Sequence, residues 1–273
     1  MNILVTGGSG FFGRHFCAAI ERECERVVVY SRDEVKQAVM REAQDSERMR
    51  WMIGDVRDLQ RLTRAMRGID VVVHAAALKR IEVGQYNPDE MVKTNVLGTM
   101  NVIEAAISSG VQKVVFLSSD KAYQPISPYG LSKAMAEALI LNANNMHGKG
   151  FAAVRYGNVA GSTGSVIPAW RARKERSQAV RVTDFECTRF WMTIEHAVNM
   201  VYGTIKSMVG GELNIPELPA YRLGDLVEAM GLVPEIIGLP AHEKLHESMD
   251  EFRSSATARR MTVSELREAL NAL

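Results

Sequence analysis

The sequence predicts an α/β fold in which a doubly wound parallel sheet carries a smaller C-terminal lobe. Short and almost continuously apolar runs indicate strands buried on both faces, at residues 2–6, 26–30, 50–53, 71–74, 113–118 and 151–156. Helical patterns separate these runs, at residues 12–22, 34–43, 59–66, 88–108 and 128–146. Strands that alternate with helices in this way form a parallel sheet with right-handed crossovers.

The regular alternation ends after residue 157. Beyond it, glycine and proline are scattered, apolar runs are short, and helical patterns recur at residues 194–208, 222–230 and 263–270. We therefore predict a first domain over residues 1–157 and a lobe formed mainly by residues 158–273, interleaved with the first. The lobe is expected to lie over the carboxyl ends of the strands, where ligands bind in such sheets.

Composition and charge argue against several classes of protein. The formal net charge of +1 gives no general attraction to nucleic acid, and the basic stretch at residues 171–176 (RARKER) is predicted to be a solvated helix face. Cys17, Cys24 and Cys187 are odd in number and lack close spacing, so no disulfide framework is expected. No apolar run approaches the roughly 18 residues of a membrane helix. Met1 leads directly into a strand, which does not resemble a signal peptide. We expect a cytoplasmic protein without nucleic-acid or membrane partners.

A glycine-rich turn follows the first strand and opens the first helix. Gly7, Gly10 and Gly13 allow a tight turn, close approach of a diphosphate and close packing of helix on sheet. The N-terminal N–H groups of the helix then point at the phosphates. This context predicts a Rossmann-type dinucleotide site more strongly than the glycine spacing alone. The residues of the turn expected to contact the cofactor are Gly7, Ser9, Gly10, Phe11, Phe12 and Gly13.

The end of the second strand indicates which dinucleotide binds. An NAD enzyme usually places an acid here to hold the ribose 2′-hydroxyl. In this chain Ser31 and Arg32 come first, which suits the additional phosphate of NADP. Asp33 is expected to cap the following helix, and Lys36 joins the predicted cofactor site. NADP is therefore preferred over NAD.

Two further strand ends extend the predicted cofactor site. Asp55 and Val56 follow the third strand, where a side chain that reads adenine usually lies, although Asp55 could equally cap the next helix. The fourth strand is followed by three small residues that are expected to line the site, Ala75, Ala76 and Ala77. Lys79 is interpreted either as a cofactor or substrate contact or as a solvated lysine.

Residues of catalytic character lie after the fifth strand and on the next helix. Ser119, Asp120 and Lys121 follow the strand end, and Tyr129 comes eight residues after Lys121. Tyr129 and Lys133 are spaced i, i+4, so they share one face of a helix. A cationic Lys133 and an oxidised nicotinamide would both lower the pKa of Tyr129, which could then act as general base on a substrate hydroxyl.

With these motifs in place, the chain resembles the extended short-chain dehydrogenase/reductase family. Within it, the chain is most similar to the inverting UDP-N-acetylglucosamine 4,6-dehydratases of bacterial glycan biosynthesis. The motifs that carry the resemblance are HAAALKR at residues 74–80, YNPDEMVKTNVLGTMNVIEAA at 86–106, SSDKA at 118–122, SPYGLSK at 127–133, RYGNVAGSTGSVIP at 155–168, TRFWMT at 188–193 and EKLHE at 243–247. They extend over nearly the whole chain. The sequence departs from the family at Ala241 and His242, where Pro-Gly is common, and at Ser119, where many relatives have Thr.

The resemblance implies an acid and a base at Asp120 and Lys121. Oxidation of the sugar at C4 acidifies the C5 proton, which a neutral Lys121 would remove, so burial or nearby cations should lower its pKa. A protonated Asp120, with a raised pKa, would assist loss of the C6 hydroxyl. The alternative interpretation is a surface loop pair. A UDP-sugar 4-epimerase would need Tyr129 and Lys133 but no such pair, and a non-catalytic nucleotide-sensing subunit would need neither.

The resemblance also implies a UDP-sugar site between the lobe and the sheet. The residues expected to contact the substrate are Lys79, Asn158, Ser165, Val166, Arg189 and Glu243. Arg189 could hold a nucleotide phosphate or form an interlobe salt bridge. The HExxH pattern that begins at His242 resembles a zinc helix, but Pro240 lies close upstream and no third ligand is evident, so no metal site is predicted. His74 is expected to be a structural residue.

The two long predicted helices are apolar on more than one face. Residues 88–108 and 128–146 contain an apolar set that exceeds what one sheet-facing side needs, namely Val92, Val96, Met100, Ile103, Met135, Leu139 and Ile140. One face is expected to pack on the sheet, and the other on a second copy, as a four-helix bundle about a two-fold axis. The family resemblance supports a homodimer or a higher homo-oligomer.

Overall fold

A computed structural model describes residues 1–44, 46–148 and 150–273, and its centre is a seven-stranded parallel sheet. The strand order is β3-β2-β1-β4-β5-β6-β9, so the direction of winding reverses between β1 and β4. The register places Ile3 between Val27 and Val71. The strands of the sheet are β1 (Asn2–Thr6), β2 (Arg26–Ser31), β3 (Met49–Ile53), β4 (Val71–His74), β5 (Lys113–Leu117), β6 (Gly150–Val154) and β9 (Leu213–Asn214).

Helices cover both faces of the sheet and form two apolar cores with it. On one face lie α1 (Phe11–Ile20), α2 (Glu34–Ala43) and α9 (Ile194–Ser207), whose inward residues include Phe16, Met40 and Val201. The other face is covered by α3 (Leu59–Ala65), α6 (Gly98–Ser109) and α7 (Pro128–His147). The predicted α/β class and doubly wound sheet are thus confirmed. Observed and predicted ends of these elements differ by one or two residues.

The predicted helix over residues 88–108 is interrupted. It begins as α5 (Pro88–Met91), continues as a π-helical segment (Val92–Leu97) and ends as α6. A short helix that was not predicted, α4 (Ile81–Tyr86), precedes it. The apolar pattern is the same for the α- and π-helical turns, so only the tertiary contacts described below reveal the interruption.

The C-terminal lobe has its own small core of Ile167, Trp170, Tyr221, Leu226 and Leu266. Its elements are α8 (Val166–Glu175), β7 (Val180–Val182), β8 (Thr188–Phe190), β10 (Ala220–Arg222), α10 (Leu223–Met230), β11 (Pro234–Ile236) and α11 (Val263–Asn271). Strand β8 pairs with β10, and β7 with β11, in two small sheets. These strands have only three residues each and were not predicted.

Residues of both predicted domains share the main core, because α9 and β9 belong to the second half of the chain but pack on the first sheet. The division into residues 1–157 and 158–273 therefore stays a prediction. None of the helices in the described part of the chain is both long and apolar enough to cross a membrane.

Candidate active site

A cleft of about 1540 Å³ runs from α2, across the carboxyl ends of β1, β4 and β5, to the C-terminal lobe. Every residue that the sequence predicted for cofactor, substrate or catalysis lines this cleft, except Asp120. Asp120 is buried behind Ser119 and Lys121, with 1% of its surface exposed. The predicted residues are therefore brought together at the switch point of the sheet.

The glycine-rich turn is shaped to admit a diphosphate. Gly7 has a φ of +67°, and a Cβ at Gly13 would lie 2.6 Å from the carbonyl oxygen of Gly7. Gly10 caps α1 without a side-chain hydrogen bond, and Phe11 begins the helix. The N-terminus of α1 therefore faces the cleft without a carboxylate in its first turn, which fits the phosphates of a dinucleotide.

The strand ends beside this turn are polar and basic. Ser9 Oγ donates a hydrogen bond of 2.7 Å to Ser31 Oγ. Arg32 lies at the mouth of the cleft, with its guanidinium 3.5 Å from the Asp55 carboxylate. Asp33 caps α2, as predicted, and also accepts a hydrogen bond of 2.6 Å from Lys36 Nζ. The carboxylate of Asp33 is thus already occupied.

Asp55 does not cap the helix that follows it, so that alternative is wrong. Asp58 is the N-cap of α3. Asp55 instead accepts hydrogen bonds from the backbone N–H and the guanidinium of Arg57 and remains in the wall of the cleft beside Val56. Two residues separate Asp55 from this cap, so its carboxylate stays in the wall of the cleft.

The π-helical segment holds the loop that follows β4. Asn95 Oδ1 accepts a hydrogen bond of 2.8 Å from Leu78 N, and Asn95 Nδ2 donates to Leu78 O at 2.9 Å. The same amide donates to Ser132 Oγ on α7 at 2.9 Å. Asn95 therefore fixes the cleft-lining loop of Ala75, Ala76, Ala77 and Lys79 against α7. The side chain of Lys79 is exposed within the cleft, whose walls nevertheless lower its pKa by desolvation, with Arg80 adding to the effect.

Tyr129 and Lys133 lie on α7, as predicted, and Ser127 caps the helix. Lys133 Nζ donates a hydrogen bond of 2.5 Å to Leu117 O and lies 3.9 Å from the centre of the Phe116 ring. Burial lowers the pKa of Lys133 to about 7. The expected lowering of the Tyr129 pKa is wrong for this structure, because burial raises it by more than Ser119 and the charge of Lys121 lower it.

Asp120 and Lys121 form a buried ion pair immediately after β5. Lys121 Nζ donates to Asp120 Oδ1 at 3.1 Å, and Ser119 Oγ donates to the same oxygen at 2.9 Å. The other oxygen, Asp120 Oδ2, has no hydrogen-bond partner among the described residues. Burial raises the pKa of Asp120 despite the charge of Lys121, which is the direction that an acid requires.

The expected depression of the Lys121 pKa is wrong. Burial does lower it, but the carboxylates of Asp120 and Glu247 outweigh burial and leave the pKa above its ordinary value. Glu247 Oε1 lies 3.5 Å from Lys121 Nζ. Sequence reasoning missed Glu247, although it closes the EKLHE motif, because nothing local indicated that it would face Lys121.

Residues predicted for the substrate form the far wall of the cleft. Asn158 Oδ1 accepts a hydrogen bond of 3.2 Å from Lys121 Nζ. Ser165 is the N-cap residue of α8 and Val166 is its first residue. Arg189 donates to the carbonyls of Thr188 and Leu245 and lies 3.4 Å from the Glu243 carboxylate. Its salt bridge is therefore formed within the lobe and is not the expected interlobe one.

Three other sequence patterns have structural roles. Residues 242–246, all described, form a loop and not a zinc-binding helix. His74 is buried between Thr6 and Thr99, at 2.7 and 3.0 Å, and burial lowers its pKa to about 3. In the basic stretch on α8, Arg171 and Lys174 donate to the backbone carbonyls of Leu270 and Met230. The stretch is thus partly engaged with the lobe and not wholly solvated.

Comparison with known proteins relates the chain to a family over almost its whole length. The family model described as polysaccharide biosynthesis protein matches residues 3–265. A UDP-N-acetylglucosamine 4,6-dehydratase (inverting) from Campylobacter jejuni is 43% identical over 256 residues, which cover 91% of this chain and 77% of the relative. A UDP-glucose 4-epimerase from Rickettsia felis is 36% identical over 270 residues, which cover 94% of this chain and 79% of the relative. The X-ray structure of Pen from Bacillus thuringiensis is 34% identical, with a TM-score of 0.95 and coverage of 100% and 98% of the two chains.

Proposed function

The chain belongs to the polysaccharide biosynthesis protein family, and we propose that it is an NADP-dependent UDP-N-acetylglucosamine 4,6-dehydratase that inverts C5. It would supply a precursor for a bacterial surface glycan. The observation that carries the proposal is the acid–base pair of Asp120 and Lys121, whose lysine lines the same cleft as Tyr129 while Asp120 lies directly behind it. The similarity to a named inverting dehydratase supports the same reaction.

The cofactor end of the cleft fits a nicotinamide dinucleotide. The glycine-rich turn and the N-terminus of α1 would hold the diphosphate. Arg32 and Ser31 would hold the additional phosphate of NADP, because the nearby carboxylate of Asp33 is occupied by Lys36. When bound, the nicotinamide would accept a hydride from sugar C4 and return it to C6.

Tyr129 would serve the oxidation at C4. Its hydroxyl group lies near Ser119 and Lys121 and lines the cleft, where it can take the proton of a C4 hydroxyl. Lys133, one helical turn later, has a pKa near 7 and is held by Leu117 O. In its protonated form, Lys133 would stabilise the tyrosinate and orient a ribose, and it would not remove the proton itself.

Asp120 and Lys121 would serve the elimination across C5 and C6. In its neutral form, reached by loss of the ammonium proton, Lys121 would remove the C5 proton, which the C4 ketone has made acidic. A protonated Asp120 would give its proton to the departing C6 hydroxyl, which leaves as water. C5 is then reprotonated on the opposite face while C6 accepts hydride, so the reaction is redox-neutral overall.

The lobe would hold the UDP part of the substrate. Ser165 and Val166 at the N-terminus of α8 and the guanidinium of Arg189 suit the diphosphate. Glu243 and Asn158 would contact the nucleotide and the sugar. We further propose that the enzyme is cytoplasmic and acts as a homodimer or a higher homo-oligomer.

A UDP-sugar 4-epimerase is the second candidate, favoured by the similarity to the Rickettsia felis epimerase. It would use Tyr129 and Lys133 but leave Asp120 and Lys121 without a chemical role. Incubation with UDP-N-acetylglucosamine and NADP in deuterated water, followed by NMR, distinguishes the two. A 4-keto-6-deoxy sugar that carries deuterium at C5 supports the dehydratase, whereas a galacto-configured sugar without deuterium at C5 would overturn it.

A further inference from the structure

A second buried carboxylate faces the catalytic lysine from the C-terminal lobe. Glu247 Oε1 lies 3.5 Å from Lys121 Nζ, on the loop that follows β11, and the Glu247 side chain is 4% exposed. Its other oxygen, Oε2, forms no hydrogen bond within the described part of the chain and lies 3.7 Å from Lys244 Nζ. A buried carboxylate with a free oxygen is costly unless a cation balances it, so this placement needs an explanation.

The backbone around Glu247 is held independently of its carboxylate. Glu247 N donates a hydrogen bond of 2.8 Å to Ser255 Oγ, and Ser255 N donates to Glu247 O at 2.7 Å. Ser255 is itself bonded to Thr188 of β8, at 2.6 Å between the hydroxyls. The segment is therefore anchored to the lobe by contacts that do not involve the Glu247 carboxylate. An isosteric amide at position 247 would keep these backbone contacts.

The two carboxylates that flank Lys121 differ in their electrostatic surroundings. Burial raises the pKa of Asp120, and the charge of Glu247 raises it further. Burial would also raise the pKa of Glu247, but the cations around it outweigh burial and leave its pKa below the usual range. The charged or titratable groups that face this cluster include Asp120 and Tyr129 from the β5–α7 region, Arg189 from β8, Tyr221 from β10, and Lys244 and Glu247 from the lobe.

We propose that Glu247 is a positioning residue that supplies the permanent negative charge beside Lys121, so that Asp120 can carry the proton given to the leaving hydroxyl. This inference rests on the proposed dehydratase function. It assigns one role to each carboxylate: Glu247 is the counter-ion of the lysine, and Asp120 is the acid. Glu247 acts through Lys121 and Asp120 and does not touch the reacting atoms.

Removal of the Glu247 charge should shift the pKa values of Lys121 and Asp120 in the same direction. Loss of a neighbouring negative charge lowers the pKa of Lys121 and of Asp120 alike. The two groups titrate together and set both limbs of the pH–rate profile. The whole profile of dehydration should therefore move to lower pH in Glu247→Gln, by roughly one unit or more, which corresponds to about a tenfold change in either protonation state.

The first test measures the amine directly and needs no substrate. Lys121 is acetylated with trace acetic anhydride at constant pH, and mass spectrometry compares it with exposed Lys93 as internal reference. Because only the neutral amine reacts, we expect the relative rate at Lys121 to rise by about tenfold in Glu247→Gln. Glu82→Gln removes an equal charge from the cleft wall without contacting Lys121, and it should leave the rate unchanged. An unchanged rate in Glu247→Gln overturns the inference.

The second test measures the reaction. Solvent deuterium incorporation at C5 is followed against pH in the wild type, Glu247→Gln and Glu247→Asp. We expect the profile of Glu247→Gln to move and that of Glu247→Asp, which keeps the charge, to remain in place. A lower rate without a shift in Glu247→Gln would overturn the inference, since packing alone would give that result. If the wild type forms no dehydrated product while the acetylation result holds, the proposed function fails and the charge assignment of Glu247 stands.

Discussion

Lys121 and Lys133 are two buried lysines on either side of Tyr129, and their pKa values move in opposite directions. Burial lowers the pKa of both amines. At Lys121 the charges of two carboxylates outweigh the effect of burial. At Lys133 the single nearby carboxylate, Glu137, forms an ion pair with Arg155 instead. Lys121 therefore keeps its proton, whereas Lys133 can lose its proton near neutral pH, because the carboxylates lie beside Lys121.

The proposed mechanism gives Tyr129 and Lys121 separate roles, which substitution of each residue can distinguish. Tyr129→Phe should abolish every step, including reduction of bound cofactor. Lys121→Ala should lose dehydration by roughly 10²–10⁴-fold, the usual scale of general acid–base catalysis, yet still reduce cofactor in a single turnover. Tyr202→Phe, on the surface, is the control. Near wild-type dehydration by Lys121→Ala would mean that the base lies elsewhere.

The proposed preference for NADP assigns Arg32 to the additional phosphate of the cofactor. The Arg32 side chain is 55% exposed at the mouth of the cleft, with its guanidinium close to Asp55. Arg32→Ala should weaken NADP by about 1.5–3 kcal/mol, or roughly 10- to 150-fold, with little change for NAD. Arg57→Ala, which also removes a partner of Asp55, should leave both affinities nearly unchanged. Isothermal titration calorimetry measures the six dissociation constants of the wild type and the two variants, and an equal loss for both cofactors in Arg32→Ala would contradict the assignment.

At the scale of elements, the buried ion pair between Arg155 and Glu137 connects α7, the sheet and the lobe. Arg155 follows β6 and donates to both carboxylate oxygens of Glu137 on α7, with Nε at 3.0 Å from Oε2. Arg155 also donates to Met249 O in the loop that carries Glu247. The positions of Lys133 and Glu247 thus depend on a common pair.

Removal of one partner of this pair should be costly. Glu137→Gln leaves the Arg155 charge buried and should lower the free energy of unfolding by about 3–5 kcal/mol. The control is Asp89→Asn, which breaks an exposed pair with Lys93 and should cost less than about 1 kcal/mol. Urea unfolding followed by circular dichroism gives both values. Equal, small losses would mean that water solvates Arg155 in the native state.

Elements with a local pattern were predictable, and contacts between distant segments were not. Strands β1 to β6 are continuous apolar runs whose burial any parallel sheet requires. The π-helical segment keeps the apolar pattern of an α-helix, and only the hydrogen bonds of the buried Asn95 to Leu78 reveal it. Motif spacing found Lys121 and Tyr129 because they lie close in sequence. Glu247 lies 126 residues beyond Lys121, and the anchoring by Ser255 that brings it there has no local signature.

For the whole molecule, the cleft lies between the main sheet and the lobe, and the opposite outer surface of α6 and α7 is apolar. Ile140, one of the apolar residues named in the sequence, is fully buried and belongs to the face that packs on the sheet. Met100 and Met135 are 47% and 55% exposed on neighbouring helices, and Val92 and Leu131 are similarly exposed. None of these four residues lines the cleft, so assembly through them would leave the cleft open.

We expect two copies to bury this surface about a two-fold axis, so that α6 and α7 of each copy pack as a four-helix bundle. Light scattering at micromolar concentration should give twice the chain mass of 30.3 kDa, or a higher multiple. Met135→Glu places a charge at the centre of the contact and should yield monomers, because an unpaired charge is costly to bury. Val209→Glu is the matched control, since Val209 is 88% exposed on another surface, and it should leave the mass unchanged. A monomeric wild type, or an equal effect of both substitutions, would contradict assembly through these helices.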